Sequence, residues 1–233
     1  MSEPVCVITG VGPGNGTSLT RRFAADGYRV AMLARSADRL AALESEIEGS
    51  RGYPVDVGVP EAVRETFARI RSDLGPVDVL LHNAGGGAFH EFEHVTAKEL
   101  ETSWRVNTLA LLVCGQEAAA DMLKAGAGAI VVTGATASLR GGAMTAAFAP
   151  AKAAQRSLAQ AMAKSLGPKG IHVALVIVDG VIDIPRTREF FKDKEDDFFL
   201  DPDSIAKTVH HLVHQDRSAW TFELDIRPYA EKW

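Results

Sequence analysis

The residues from Thr9 to Gly16 read TGVGPGNG and follow directly on a short apolar run. Glycines let a backbone turn tightly and approach a ligand closely. A helix that begins in such a turn points free N–H groups and the positive end of its dipole at the ligand, which favours a phosphate. We therefore interpret Gly10, Gly14, Asn15 and Gly16 as a site for the pyrophosphate of a dinucleotide.

A second candidate contact stands at the end of the next apolar run, which reads Ala34-Arg35-Ser36. An acidic residue at this point of a βαβ unit hydrogen-bonds the ribose 2′-hydroxyl of NAD, whereas a guanidinium and a hydroxyl suit the 2′-phosphate of NADP. Arg35 and Ser36 therefore favour NADP, with NAD as the alternative. A solvated surface arginine is the other interpretation of Arg35.

Further motifs follow in a fixed order along the chain. They are Asp56-Val57, His82-Asn83-Ala84-Gly85, Asn107 and Lys152. With the T-G-x-x-x-G-x-G turn they resemble the short-chain dehydrogenase/reductase family, over residues 1 to about 180. The resemblance implies that the first pair contacts adenine, that the second group forms the family's N-N-A-G turn, and that the last two residues belong to the catalytic centre.

The reacting centre departs from the family pattern. In the family, a serine positions the substrate carbonyl, and a tyrosine four residues before the lysine transfers the proton. Here Phe148 stands at the tyrosine position, and counting back by the family's usual interval places Ala135 at the serine position. Phe148 and Lys152 are one helical turn apart and share a face. Both proton-handling hydroxyls are therefore predicted to be missing.

The proton donor is left open by the sequence. Water, Lys152 and the hydroxyls of Thr136, Ser138 and Thr145 are all candidates. One hypothesis is an NADP-dependent oxidoreductase with rerouted proton transfer, acting on a small molecule such as an apolar carbonyl compound or enone. The other is a catalytically silent dinucleotide-binding protein that regulates a partner or an assembly. A different tyrosine serving the site is a third interpretation, for which only Tyr28, Tyr53 and Tyr229 are available.

A second departure follows the sixth strand candidate. The family's P-G-x-x-x-T reads here Asp179-Gly180-Val181-Ile182-Asp183-Ile184. Asp179 is either a replacement acid or a loop cap, and the cap is the preferred interpretation. The residues from 179 to 200 mix charges with phenylalanines and are predicted to form an irregular, mobile lid over the substrate.

Two histidine patterns raise the question of a metal. Residues His90 to His94 read H-E-x-x-H, which binds zinc when it lies on a helix. The next helix is predicted to begin at Thr96, with Glu99 completing a capping box, so these histidines fall in a loop. His210 and His214 share a helical face but have no evident third ligand or nearby acid. We therefore predict no metal site.

Apolar runs of strand length alternate with stretches of helical period. The predicted strands are 5–9, 29–34, 53–57, 77–82, 129–133, 172–178 and 221–226, and the predicted helices are 16–26, 37–48, 60–74, 96–124, 146–166 and 202–215. Nearly continuous apolar strands with helical crossovers indicate a parallel sheet that is covered on both faces. The fold class is therefore α/β: a Rossmann-type, doubly wound, seven-stranded sheet in one domain spanning residues 1–233.

Composition narrows the possible partners. The net charge is -5 with interspersed signs, which argues against nucleic acid. No uninterrupted apolar run of membrane-spanning length occurs, and no basic leader precedes the first strand. The two cysteines, Cys6 and Cys114, suggest reduced core thiols in the cytoplasm. By resemblance, the alanine-rich helices 96–124 and 146–166 form the contact of a homodimer or homotetramer.

Overall fold

A computed structural model of the chain describes residues 3–230. Its strands are β1 Val5–Thr9, β2 Arg29–Ala34, β3 Ser50–Pro54, β4 Val79–His82, β5 Gly128–Ala135, β6 Ile171–Val178, β7 Val181–Ile182, β8 Phe199–Leu200 and β9 Glu223–Ile226. Seven of them form one sheet in the order β3-β2-β1-β4-β5-β6-β9, and every neighbouring pair is parallel. The predicted seven-stranded parallel sheet is confirmed.

Helices cover both faces of this sheet. They are α1 Asn15–Ala25, α2 Ala37–Glu46, α3 Pro60–Asp73, α4 Ala97–Trp104, α5 Ala110–Ala125, α6 Phe148–Leu166, α7 Pro185–Phe190 and α8 Pro202–Val213. Buried hydrophobic side chains form two core clusters. In one, α1, α2 and α8 pack on one face of the sheet, and in the other, α3, α5 and α6 pack on the opposite face. This two-sided burial explains why β6 is apolar at nearly every position and buried at all of them.

The chain reverses its direction of winding between β1 and β4. These strands are neighbours in the sheet, whereas β2 and β3 lie on the far side of β1. In an open parallel sheet, the crevice at such a switch point, beyond the carboxyl ends of the strands, is the place where ligands bind. The turns after β1 and β4 both carry predicted site residues, so the topology places them at this crevice.

Two predicted elements are wrong in their bounds or type. The third strand lies at Ser50–Pro54 rather than at 53–57. The prediction followed the buried apolar residues, whereas the residues that pair with β2 begin with Ser50, Arg51 and Gly52, which carry no apolar pattern. Beyond Pro54, the N–H of Val55 still donates to the carbonyl of Ala34 at 2.9 Å. The single helix predicted at 96–124 is interrupted by a π-helical turn, Arg105–Leu109, between α4 and α5.

The segment from 179 to 200 is more regular than predicted. β7 pairs with β8, and α7 lies between them. Arg188 donates both its Nε and Nη2 to the carboxylate of Asp183 at 2.7 Å, and its guanidinium lies 4.0 Å from the centre of the Phe199 ring. These local contacts order a stretch that lacks a clear periodic pattern in sequence.

Within residues 3–230, the helices are all too short or too polar to cross a membrane.

Candidate functional site

The glycine-rich turn after β1 fits closely against the turn after β4. Gly10 has a φ of +71°, and a Cβ there would lie 2.6 Å from the Cα of Ala84. Gly14 precedes α1 with a φ of +86°, which glycine alone adopts readily. Asn15 and Gly16 begin α1, and the Oδ1 atom of Asn15 is buried with no hydrogen-bond partner in the described part of the chain. The turn therefore offers backbone N–H groups and one unused acceptor.

Hydrogen bonds join the two turns. Nδ2 of Asn83 donates to the carbonyl of Gly10 at 2.9 Å, and its Oδ1 accepts from the Thr133 hydroxyl at 3.3 Å. The backbone N–H of Ala84 donates to Oγ1 of Thr9 at 3.1 Å. The predicted turn residues Asn83 and Ala84 thus hold the carboxyl ends of β1, β4 and β5 in one arrangement.

A cavity of about 630 Å³ runs along the carboxyl ends of the strands. Its volume lies in the range of small-molecule and cofactor sites. Seven of the predicted cofactor residues line it: Gly10, Arg35, Ser36, Asp56, Val57, Ala84 and Gly85. The carboxylate of Asp56 is exposed and accepts from the N–H of Gly58 at 2.9 Å. The structure therefore brings the predicted adenosine-side residues together around one space.

Arg39 is a cavity residue that the sequence did not single out. It lies in α2, and its Nη1 is 3.9 Å from the position that a Cβ of Gly12 would occupy. Ser36 caps this helix, because its Oγ accepts from the N–H of Arg39 at 3.4 Å. Arg35 is exposed at the same rim. Two guanidinium groups and one hydroxyl therefore face the end of β2.

Lys152 is buried in the first turns of α6. Its Nζ donates to the carbonyl of Thr133 at 2.8 Å and to Oε1 of Gln155 at 3.0 Å. Burial lowers the pKa of Lys152 from 10.5 to about 7. The Nζ also lies 3.4 Å from the position that a Cβ of Gly85 would occupy, which places it at the turn after β4. Gln155 was not predicted from the sequence, because a single glutamine in a helix gives no signal.

Asn107 is completely buried in the π-helical turn. Its Nδ2 donates to the carbonyls of Gly86 at 2.6 Å and Ser103 at 2.7 Å. Its Oδ1 accepts from the N–H of Gly86 at 3.4 Å. The side chain therefore fixes the glycine-rich loop after β4 against the helix. Such turns often mark functional sites.

Phe148 opens α6 on the same face as Lys152, as its spacing predicts. The ring centre lies 5.8 Å from Nζ of Lys152 and 5.2 Å from the ring of Phe89. A Cβ on Gly87 would come within 2.8 Å of the Phe148 Cβ, so the loop after β4 packs on this ring. A phenyl ring therefore faces the ammonium group.

The tyrosines have their hydroxyl partners elsewhere. The hydroxyl of Tyr28 contacts Nε2 of His214 at 3.2 Å, that of Tyr53 donates to Asp73 at 3.1 Å, and that of Tyr229 donates to Asp197 at 3.0 Å. Tyr229 is 88% exposed. The alternative of a second tyrosine serving Lys152 therefore finds no support in the described residues.

The three candidate hydroxyls have different partners. Thr136 follows Ala135 at the end of β5, and its hydroxyl donates to Oδ1 of Asp179 at 2.5 Å. The Oγ of Ser138 accepts from the N–H of Ala135 at 3.1 Å. Thr145 closes a tight turn by donating to the carbonyl of Gly142 at 3.0 Å. Asp179 also pairs with Arg227 at 3.2 Å, so it anchors the C-terminal strand end.

The residues after β9 contact the segment from 179 to 200, which we call the lid segment. A Cβ on Gly180 would lie 2.8 Å from Cδ of Pro228. On its other side the lid segment packs on the glycine-rich turn, where a Cβ on Gly14 would clash with Cγ2 of Ile184. The lid segment is thus placed between the C-terminal tail and the predicted pyrophosphate turn.

The H-E-x-x-H motif does not form a helical zinc site. Phe92–His94 is a single 3-10 turn, and Thr96 caps α4 in a capping box with Glu99, as predicted. His90 pairs with Oε1 of Glu99 at 3.2 Å, so it is turned towards the helix cap.

The interpretation that His210 and His214 lack a nearby acid is wrong. Asp26, at the end of α1, places Oδ2 2.7 Å from Nε2 of His210 and 3.6 Å from Nε2 of His214. The sequence separates this acid from His210 by 184 residues. Nη2 of Arg22 also lies 3.1 Å from Nδ1 of His210, so the cluster already contains a cationic side chain. We interpret it as a polar link between α1 and α8.

A family model and a relative of known name both match most of the chain. The family model described as short chain dehydrogenase matches residues 4–195. D-xylose 1-dehydrogenase of Caulobacter vibrioides is 32% identical over 228 residues, covering 92% of this chain and 90% of the relative.

Two solved structures are similar to nearly the whole chain. A short-chain dehydrogenase from Rhodopseudomonas palustris is 35% identical with a TM-score of 0.83, covering 97% of this chain and 99% of that one. An alcohol dehydrogenase from Thermococcus sibiricus, complexed with 5-hydroxy-NADP, is 26% identical with a TM-score of 0.87, covering 99% of each chain. The ordered motifs, the sheet and these matches together show that the chain belongs to the short-chain dehydrogenase family.

Proposed function

We propose that the chain is an NADP-dependent oxidoreductase in which Lys152 moves the proton that a tyrosine moves elsewhere in the family. The observation that carries this proposal is the surroundings of the ammonium group. It is buried, its hydrogen-bond acceptors are the neutral oxygens of Thr133 and Gln155, and the ring beside it is that of Phe148. A lysine that is desolvated in this way gives up its proton near neutral pH.

The cofactor fits the residues that would hold it. Gly10 and Gly14 leave no room for a side chain where the backbone approaches the crevice. The buried Oδ1 of Asn15 has no hydrogen-bond partner within residues 3–230 and would accept a hydrogen bond from a ribose hydroxyl. Arg35 and Arg39 would bind a 2′-phosphate by charge-assisted hydrogen bonds. Bound NADPH supplies the hydride that reduces the substrate carbon.

The protein supplies the proton and the positioning. In the reducing direction, the Lys152 ammonium donates one proton to the substrate oxygen and is left as a neutral amine, which then takes a proton from solvent. Asn107 holds the loop after β4 in place beside it. The Phe148 ring has no proton to transfer, and it excludes water from the ammonium group instead.

The substrate that suits this site is an apolar carbonyl compound or enone. Large apolar side chains are exposed on the segments that follow β4, β5 and β6: Phe89, Phe92, Leu139, Met144, Phe190 and Phe191. Phe89 already packs on Phe148 at 5.2 Å between ring centres. These segments leave the same edge of the parallel sheet, and exposed apolar side chains at such an edge are typical of a ligand or partner surface. The lid segment carries two of these phenylalanines and would close over the substrate.

Single-turnover oxidation of bound NADPH tests the proposal. The panel consists of apolar aldehydes, ketones and enones, with D-xylose added because a relative is named for that sugar. We expect turnover with an apolar member and at least a tenfold loss in Lys152→Met, which keeps the length of the side chain without the amine. Turnover that is unchanged in Lys152→Met would contradict the assignment of Lys152.

The second candidate function is a silent dinucleotide-binding protein. The specific observation in its favour is Phe148, because the phenyl ring removes the family's proton donor. Tight NADPH binding together with no oxidation by any member of the panel would support this function over the first.

The preference for NADP is tested at the end of β2. Arg35→Ala and Arg39→Ala together are expected to weaken NADPH binding by at least tenfold and leave NADH binding within about twofold, because only the 2′-phosphate loses its partners. Arg64→Ala is the control, because Arg64 lies on α3 and pairs with Glu61. Equal affinities of the unmodified protein for NAD and NADP in a fluorescence titration would remove the preference.

A further inference from the structure

We propose that Gln155 is a positioning residue that holds the Lys152 ammonium in place for proton transfer and ties it to the backbone of the π-helical turn. The inference rests on the proposed function. It concerns a residue that the family motifs of this sequence do not include, three positions after Lys152 on α6.

The first step is the burial of the glutamine side chain. Gln155 is completely buried. Its Oε1 accepts from Nζ of Lys152 at 3.0 Å, and its Nε2 donates to the carbonyl of Asn107 at 2.9 Å. A primary amide without partners is costly to bury. Here the buried side chain uses both of its polar atoms, so its conformation is determined by its two partners.

The orientation of the amide follows from the chemistry of these partners. An ammonium can only donate and a carbonyl can only accept. If the amide were flipped, its NH2 would face the ammonium of Lys152 and its oxygen would face the Asn107 carbonyl, so both contacts would become repulsive. The acceptor atom of Gln155 is therefore directed at Lys152.

The second step is the connection to the π-helical turn. The Asn107 carbonyl that receives the amide belongs to Arg105–Leu109, and the hydroxyl of the next residue, Thr108, donates to the carbonyl of Ala151 at 2.8 Å. Two hydrogen bonds therefore join this turn to α6 on either side of Lys152. The Asn107 side chain holds the loop after β4 from the same turn. One turn thus positions both the lysine and the loop that packs on it.

The third step concerns the charge of the ammonium group. Two of its three N–H bonds are directed at neutral oxygens, one on Thr133 and one on Gln155, which leaves the third for the proton transfer proposed above. A carboxylate at position 155 would hold the proton firmly by charge, whereas an amide orients the group and still lets the proton leave. His82 on β4 is the titratable neighbour. Its burial, followed by the charge of Lys152, lowers the pKa of His82 to about 3, so it stays neutral where Lys152 titrates.

The test uses two substitutions with opposite expected effects. Gln155→Glu places a carboxylate against the ammonium, and we expect the titration midpoint of Lys152 to rise by about one pH unit or more. Gln155→Met has a similar volume but is only a weak hydrogen-bond acceptor. We expect the midpoint to fall and single-turnover NADPH oxidation to drop by about tenfold or more, with a KM for NADPH within about threefold of the unmodified value.

The midpoint is measured in the full chain by NMR on lysine labelled with ¹³C at Cε, with the Lys152 signal assigned by its absence in Lys152→Met. Gln160→Met is the matched control, because Gln160 lies on the same helix and its side chain has no part in this network. We expect it to change neither the midpoint nor turnover.

The NMR readout does not require turnover, so the two proposals can fail separately. Opposite shifts in the two variants without any substrate oxidation would support the positioning of Lys152 and contradict the proposed function. A midpoint in Gln155→Glu that matches the unmodified protein would overturn the role of Gln155. If that variant does not fold, an unchanged midpoint and unchanged turnover in Gln155→Met would overturn it equally.

Discussion

Near neutral pH, the side chain of Lys152 exists in both of its protonation states, because burial lowers its pKa to about 7. An ordinary lysine is almost fully charged there and is a poor acid. Proton donors work best when their pKa lies close to the working pH. The same burial that would be a stability cost elsewhere therefore suits this lysine to the proposed role.

The pH dependence of turnover follows from this pKa. Carbonyl reduction consumes the ammonium form, so we expect the single-turnover rate to be highest below about pH 7 and to fall tenfold per pH unit well above it. Alcohol oxidation requires the neutral amine and should rise across the same range. Stopped-flow measurement of NADPH absorbance between pH 5.5 and 9 checks both directions.

Lys152→Arg is the control for this profile, because a guanidinium stays protonated throughout the range. Its residual rate should not vary with pH. A reduction rate that is flat from acid to alkaline pH in the unmodified enzyme would contradict proton donation by Lys152.

Restoring the family's hydroxyls should accelerate carbonyl reduction. The double substitution Phe148→Tyr and Ala135→Ser adds a phenol next to the ammonium and a hydroxyl at the end of β5. General acid catalysis contributes about 10²-fold or more to such reactions, and we expect a gain of that order in kcat/KM. Phe89→Tyr is the matched control, since it adds a phenol to the neighbouring ring without the helical spacing to Lys152. A double variant no faster than Phe89→Tyr would mean that Phe148 does not occupy the proton-transfer position.

The site residues that could be predicted from the sequence belong to motifs with a fixed spacing. Gly10, Asn83 and Lys152 belong to such motifs. Gly10 lines the cavity, Asn83 donates to its carbonyl, and Lys152 donates to the carbonyl of Thr133 on β5. Gln155 and Asp26 belong to no such motif. Gln155 bonds to the Asn107 carbonyl 48 residues away, and Asp26 contacts His210 184 residues away, so only folding brings these pairs together.

At the scale of elements, most bounds of helices and strands could be predicted, because the hydrophobic periodicity and the glycine, proline and capping residues indicated the same limits. The errors have local causes. β3 begins with Ser50, Arg51 and Gly52, which carry no apolar pattern. No pattern of side chains distinguishes a π-helical turn from the α-helix around it. The lid segment was predicted to be irregular because its strands have two residues each, which is too short for a periodic signal.

The lid segment and the glycine-rich turn are expected to be energetically coupled. Gly14→Ala introduces a Cβ at a φ of +86° and against Cγ2 of Ile184, so it should lower the free energy of unfolding by about 2 kcal/mol. Ile184→Ala in the same chain should recover part of this loss by removing the clash, while the backbone strain remains. Thermal or urea unfolding of both single variants and the double variant gives the coupling energy.

Gly141→Ala serves as the control, because a Cβ there meets no atom within 4 Å. It should change stability by less than about 0.5 kcal/mol. Strictly additive losses in the double variant would indicate that Ile184 does not rest on Gly14 in solution, as expected of a lid segment that stands open.

At the scale of the whole molecule, the two core clusters leave some apolar surface outside. Leu112 and Leu123 are 38% and 44% exposed, and they lie on the same solvent-facing stripe of α5 because their spacing of eleven residues is close to three helical turns. Trp104, at the end of α4, is 44% exposed. The family resemblance places a subunit contact on these helices, and exposed apolar side chains on a helix are consistent with such a contact.

We therefore expect the protein to form a homodimer or homotetramer through this stripe. Light scattering coupled to size exclusion should give a multiple of the 24.9 kDa chain mass. Leu112→Glu would bury a carboxylate in the contact and should shift the mass towards that of one chain at micromolar concentration, because an unpaired charge costs several kcal/mol to bury.

Val59→Glu is the control: Val59 is 45% exposed next to α3, and its substitution should leave the mass unchanged. An unmodified protein that elutes as a single chain, or a Leu112→Glu variant with the original mass, would place the assembly contact elsewhere or exclude it. Because Lys152 is buried within its own subunit, dissociation should leave its titration midpoint in place, which separates assembly from the chemistry of the site.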